Sequence, residues 1–94
     1  MNQRRVRIEE VLVYLDVSDR RTFLERLRAE GLFESDEIEP EEAEDLRLAQ
    51  VLMDELGVNA AGVEVVLHLR KRLFALEGRA KALLGALEAS RKER

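Results

Sequence analysis

Glu55-Leu56-Gly57-Val58-Asn59-Ala60-Ala61-Gly62-Val63-Glu64-Val65-Val66-Leu67 is the stretch that decides the fold. It ends one helix, turns, and starts another that runs nearly to the C-terminus. Gly57 follows the last leucine of a periodic run, where a terminating helix uses a residue that accepts left-handed dihedrals. Asn59 is placed as an N-cap, its side-chain oxygen within reach of a free amide of the next turn. Val58 and Val63 have the spacing of a hydrophobic staple across that cap.

Downstream of the joint, Val66, Leu69, Leu73, Leu76, Ala80, Leu83 and Leu87 alternate steps of three and four, the a/d seam of a coiled coil. No proline interrupts them. A helix continuous from Ala60 to Ser90 is on the order of 45 Å long at 1.5 Å per residue. So small a chain cannot bury such a rod, so the seam predicts a homodimer through Val66, Leu69, Leu73, Leu76, Leu83 and Leu87. A second stripe, Ala75, Gly78, Ala82, Gly85 and Ala89, holds only small residues. It fits three readings: close approach of another helix, tolerated exposed glycines, or a break near Gly78. His68 falls just off the seam and reads as an interface residue.

Upstream of the joint, Ala43, Leu46, Ala49, Met53 and Leu56 give a third helix its inward stripe, widened by Leu48 and Leu52. Pro40 suits the first turn of that helix, where its missing N–H costs nothing. Residues 34–45 hold eight acids (Glu34, Asp36, Glu37, Glu39, Glu41, Glu42, Glu44, Asp45) and no base. Glu34 to Glu39 reads as a short hairpin wing or an irregular loop, with Ile38 pinning it to the core.

Nearer the N-terminus, Ile8, Val11, Leu12 and Leu15 have the spacing of one buried helical face. Asp16-Val17 breaks the pattern, and Ser18 is the expected N-cap of the next helix. That helix runs from Asp19 to about Glu30, with Phe23, Leu24 and Leu27 inward and Gly31 as its stop. Helix, short turn, helix within some twenty residues is helix-turn-helix spacing. The basic lead-in, residues 1–7, reads as frayed or extended.

Ninety-four residues make one small domain: a helix-turn-helix core with acidic wing and third helix over 1–57, and a long helix over 58–94. The fold class expected is mainly α. No cysteine means no disulfide framework and no thiolate metal site. A single histidine excludes zinc sites built on paired histidines. No glycine-rich phosphate loop, HExxH or calcium-loop pattern is present. No enzyme activity, metal or cofactor is expected. No apolar run approaches the ~20 residues of a membrane span, and no signal-peptide core follows Met1, so a cytoplasmic protein is expected.

Outside residues 34–45 the chain has twelve acids against sixteen bases, so the net charge of −4 hides a concentrated acidic locus. If the second helix of the motif entered a major groove, Arg20, Arg21 and Arg28 would meet phosphates or base edges. A duplex-binding wing must help neutralise phosphates, and this one would repel them. An acidic surface instead suits a basic protein partner. The candidate partner-binding residues are Glu34, Asp36, Glu37, Glu39, Glu41 and Glu42.

Residues 6–87 resemble the chaperone-modulator family of the CbpM type, which shares a MerR-like helix-turn-helix ancestry. The resemblance rests on Ile8-Glu9-Glu10-Val11 through Val17-Ser18 and Leu24, on Gly31-Leu32, on the Leu46-to-Leu56 helix, and above all on ELGVNAAGVEVVLHL. HspR-type repressors of the MerR group share that joint. MerR-type regulators usually show a Gly-Tyr-Arg-x-Tyr wing core, which this chain lacks. The resemblance implies a protein that binds the J-domain of a DnaJ- or CbpA-like co-chaperone and blocks its action on a DnaK-type Hsp70 chaperone. It also implies an antiparallel dimer. The alternative it leaves is a MerR/HspR-type DNA-binding transcriptional regulator.

Overall fold

The computed structural model describes residues 4–92. In chain order the elements are β1 (Val6–Arg7), α1 (Ile8–Tyr14), α2 (Arg20–Ala29), β2 (Glu37–Ile38), α3 (Glu42–Gln50), a π-helical turn (Val51–Glu55) and α4 (Ala60–Lys92). The chain is mainly helical. β1 and β2 form a two-residue antiparallel ladder, Val6 opposite Ile38 and Arg7 opposite Glu37.

The core draws three residues from α1, two each from α2, α3 and α4, one from β2, and Val17 from the turn between α1 and α2. Ile8, Leu12, Leu27, Leu46 and Val63 are almost completely buried, with Val11, Val17, Phe23, Ile38, Ala49 and Leu67 around them. Leu15 and Leu24 complete the edge, half-buried. α1 ends where expected, because Asp16 turns left-handed (φ 57°) and reverses the chain. The cap of α2 differs by one position from expectation. Asp19, not Ser18, is the N-cap, its carboxylate accepting the Thr22 N–H at 3.2 Å. That bond holds the Asp19 pKa below the usual carboxylate value. Gly31 (φ 80°) then stops the helix.

The Glu34–Glu39 segment is not a hairpin wing. Its second half is β2, and its partner is the N-terminal strand, so the expected lead-in is an extended strand that docks the acidic segment. Ile38 is buried as anticipated. Pro40 lies in the tight turn before α3 rather than inside the helix. Three successive i to i+3 bonds, into the carbonyls of Glu39, Pro40 and Glu41, carry the chain into it.

Leu56 departs from the expected inward stripe: it is 66% exposed. The cause is the change from α to π pitch at Val51. The Leu56 N–H reaches back five residues to Val51 and the Val58 N–H reaches Leu52. The wider turn advances less per residue, so the α-periodic stripe slips off the core face after Met53. Val58 fills the place instead, half-buried against the core.

The joint follows its local signals. Gly57 has φ 69° and Asn59 accepts the Gly62 N–H at 2.8 Å. Val58 lies so close over the first turn that a Cβ on Gly62 would sit 2.6 Å from its Cγ1. The residue that permits the staple is therefore Gly62 as much as Val63.

α4 continues without a break through Gly78 and Gly85 to Lys92. Its first two turns pack on α2 and α3, and the rest projects beyond the core. The radius of gyration, 17.5 Å, exceeds the about 12 Å of a compact chain of this length. No helix among the described residues is long and apolar enough to cross a membrane.

Candidate functional site

Three surfaces hold the residues singled out by the sequence: the acidic segment, the outer face of α2, and the distal half of α4.

The acidic segment is tied down by two arginines. The Arg28 Nε–H donates to the Phe33 carbonyl at 2.7 Å, and its Nη2 reaches the Ser35 carbonyl and an Asp36 carboxylate oxygen at 3.2 Å each. That clamp holds Phe33 in a left-handed conformation (φ 52°), unusual for an aromatic residue. Arg5 donates to the Glu37 carbonyl at 2.8 Å and pairs with Glu39 at 3.4 Å and Glu37 at 3.7 Å. Glu42 accepts the Glu39 N–H at 3.0 Å, a capping contact for the turn into α3. Of the six candidate carboxylates, Asp36, Glu37, Glu39 and Glu42 thus serve the fold. Glu34 and Glu41 are solvent-exposed and form no ion pair among the described residues.

On the outer face of α2, Arg28 is committed to the clamp. Arg20 is exposed, and Arg21 reaches Glu25 loosely at 3.9 Å. The shallow grooves between α1, α2 and the acidic segment are lined by Arg7, Arg20, Arg21 and Arg28 and equally by Glu9, Asp19, Glu25 and Asp36. Four bases against four acids leave this face without the net positive charge on which phosphate binding depends.

α3 and α4 are joined by an ion pair. Asp45 accepts from Arg70, and the Arg70 guanidinium lies 5.0 Å from the centre of the Phe74 ring. Burial raises the Asp45 pKa more than Arg70 and Lys71 lower it. His68 is exposed beside a small cleft lined by Glu42, Asp45, Glu64 and Lys71. No group of His, Cys, Asp and Glu able to hold a metal occurs among the described residues.

Past Leu67 the apolar seam meets only solvent. Leu69, Leu73, Leu76, Leu83 and Leu87 are each 54–62% exposed, and Leu84 beside them 60%. Val66 is half-buried at the seam's inner end. The small-residue stripe lies on the opposite side of the helix, and among the described residues nothing beyond the adjoining helix comes within 4 Å of a Cβ placed on Gly78 or Gly85. The seam, its length and its joint were legible in the sequence. The arginine clamp was not, because it joins residues by backbone carbonyls that carry no side-chain signature. Comparison with protein-family models, with curated proteins and with solved structures gives no match for this chain.

Proposed function

We propose that this chain is a dimeric, non-enzymatic regulator that binds the J-domain of a DnaJ- or CbpA-like co-chaperone and keeps it from its DnaK-type partner. The observation that carries the choice between protein and DNA is the charge balance beside α2. A helix-turn-helix that reads duplex DNA presents free bases on its second helix. Here Arg28 is spent on the acidic segment, Arg21 reaches Glu25 loosely, and the grooves beside α2 are lined by as many acids as bases. The carboxylates facing solvent beyond it, Glu34 and Glu41 foremost, favour a basic protein surface. The resemblance carried by the Leu56–Val63 joint supplies the identity of that partner. The exposed leucine seam supports the homodimer, since so many half-exposed leucines in one row are an interface in waiting.

The test is a titration of the protein against a purified J-domain, with random duplex DNA in parallel at physiological salt. Saturable J-domain binding that weakens in the Glu34→Lys, Glu41→Lys variant supports the reading; these two residues are chosen because reversing them spares the fold. Salt-sensitive DNA binding with no J-domain binding overturns it in favour of the transcriptional regulator, with Arg20 and Arg21 on the phosphates.

A further inference from the structure

Between α2, the π-helical turn and the start of α4 lies an open cleft of about 630 Å³. Clefts that hold ligands run from about 300 to 1,000 Å³. Its floor is apolar: Met53 and Val58, both half-buried, with the buried Val17 and Phe23. Methionine suits such a floor, because its unbranched side chain adapts to whatever covers it. Leu56, which the π turn puts outside the core, is 66% exposed next to Gly57 in the cleft wall. An apolar side chain arriving there covers surface that the protomer leaves wet.

The rim is acidic. Asp19, Glu30 and Asp54 stand around the cleft against Arg26 alone. Glu30, Asp54 and Arg26 form no ion pair among the described residues. Asp19 caps α2 at its N-terminus and Glu30 at its C-terminus, so at 1.5 Å per residue they lie roughly 16 Å apart along one wall. Asp54 stands on the other wall. The two helix starts that meet at the cleft do not make it an anion site, because each is already capped. The Asp19 carboxylate accepts from Thr22, and the Asn59 side chain accepts from Gly62. Three acids against one base leave the rim negative, and the charge that complements it is positive.

We propose that this cleft is a second docking site, taking a basic amphipathic peptide segment. Its apolar side chains settle on Met53, Val58 and Leu56, and its flanking Lys or Arg residues meet Glu30, Asp54 and Asp19. The site is separate from the surface of Glu34 and Glu41, since none of residues 31–52 lines it. Arg28, which holds the acidic segment, lies about 200° around α2 from Arg26. The cleft is also clear of the leucine seam. In the heptad count that puts Val66 at a, Ala60 and Ala61 fall at b and c, on the far side of α4. The site goes beyond the proposed function and rests on neither the J-domain assignment nor the dimer.

The probe is a fluorescein-labelled synthetic peptide of about eleven residues, matched to that 16 Å wall, with leucine and alanine at its centre and two lysines at each end. It is titrated with the protein by fluorescence anisotropy at physiological salt. Saturable binding is expected, and a control peptide with glycine for each leucine should bind about tenfold more weakly. Glu30→Lys with Asp54→Lys, both at exposed positions, should lose about tenfold in affinity, while Glu34→Lys with Glu41→Lys should bind like the parent. Leu56→Ser changes no charge and should weaken binding roughly threefold, a loss that a purely electrostatic contact would not show. Thermal unfolding of each variant, expected at the parent midpoint, separates a lost surface from a lost fold. Absence of saturable binding, equal binding of the glycine peptide, or a loss that follows Glu34 and Glu41 instead of Glu30 and Asp54 overturns the proposal. The J-domain is not a readout in any arm, so this site and the proposed function fail independently.

Discussion

The two halves of α4 use the same residue types to opposite ends. Val63 and Leu67 are buried against α2 and α3, while Leu73 and Leu83, on the a/d row, are 56% and 62% exposed. The helix does not change between them: it is continuous from Ala60 to Lys92. What changes is the face and the reach of the head: Val63 and Leu67 lie off the a/d row on the side turned to the core, and beyond them the head ends. A head drawn from about sixty residues covers two turns of α4, and the remaining turns keep their apolar face for something outside the chain. A leucine's pattern position therefore says that it will be covered, but only the volume of the head says by what.

Truncating one leucine in each region separates the two roles. Leu46→Ala, at a fully buried site, should cost about 3 kcal/mol of protomer stability, a large share of what so small a domain has. Leu73→Ala should leave a monomeric protomer's stability nearly unchanged and act only on self-association. The measurement is urea unfolding of both variants at two protein concentrations. A Leu73→Ala midpoint that falls as far as that of Leu46→Ala at high dilution would mean the rod belongs to the core after all.

The next effect tests how the acidic segment is held. Arg28→Ala removes three hydrogen bonds and should cost about 2 kcal/mol. It should also free Phe33 from its left-handed conformation, so that proteolysis at Glu34 and Glu37 accelerates well before global unfolding. Arg28→Lys keeps the charge but cannot reach all three acceptors, and should recover only part of the protection. Slow cleavage in both variants would show that β2 alone secures the segment.

Between head and rod stands the joint. Gly62→Ala should cost about 1–2 kcal/mol, because the added methyl meets Val58 at 2.6 Å and either the staple or the helix start must move. The same change at Gly78, which touches nothing, should stabilise the helix by about 1 kcal/mol. A thermal shift of the same sign for both would mean that the joint is no tighter than the open rod.

Much of this architecture was readable beforehand, and the misses share a cause. Helix starts and stops at Asn59, Gly57 and Gly31 follow from local backbone chemistry, which a sequence carries in a few adjacent letters. The a/d seam follows from periodicity over many residues. Leu56 leaves the face its spacing predicts because one π turn breaks the period, and nothing in Val51–Glu55 announces it. Ser18 and Asp19 are both good caps by residue type, and it is Asp19 whose carboxylate meets the Thr22 N–H. At the candidate site, the sequence located the acids but could not tell working carboxylates from free ones. Asp36 and Glu39 differ from Glu34 only in having an arginine folded onto them from 8 and 34 residues away.

The smallest expected effect lies at the last contact between head and rod. Asp45, on α3, faces Arg70 and Lys71 on α4 and its neighbour Glu42, and burial raises its pKa above the ordinary 3.8. A raised carboxyl pKa means that the folded state holds the proton more tightly than the unfolded chain does. Asp45 therefore favours folding most at acid pH, and that contribution is lost as pH rises through its raised titration range. Asp19 works the other way: its lowered pKa gives a contribution present above 3.8 and lost as pH falls through its depressed range. Asp45→Asn, which can still accept from Arg70, should accordingly match the parent at pH 3 and be no less stable at pH 7. Asp19→Asn should not share this pattern. If Asp45→Asn instead falls below the parent in stability as pH rises from 3 to 7, attraction to Arg70 outweighs the cost of burial. The ion pair would then be a true brace between head and rod rather than a contact the two elements merely tolerate.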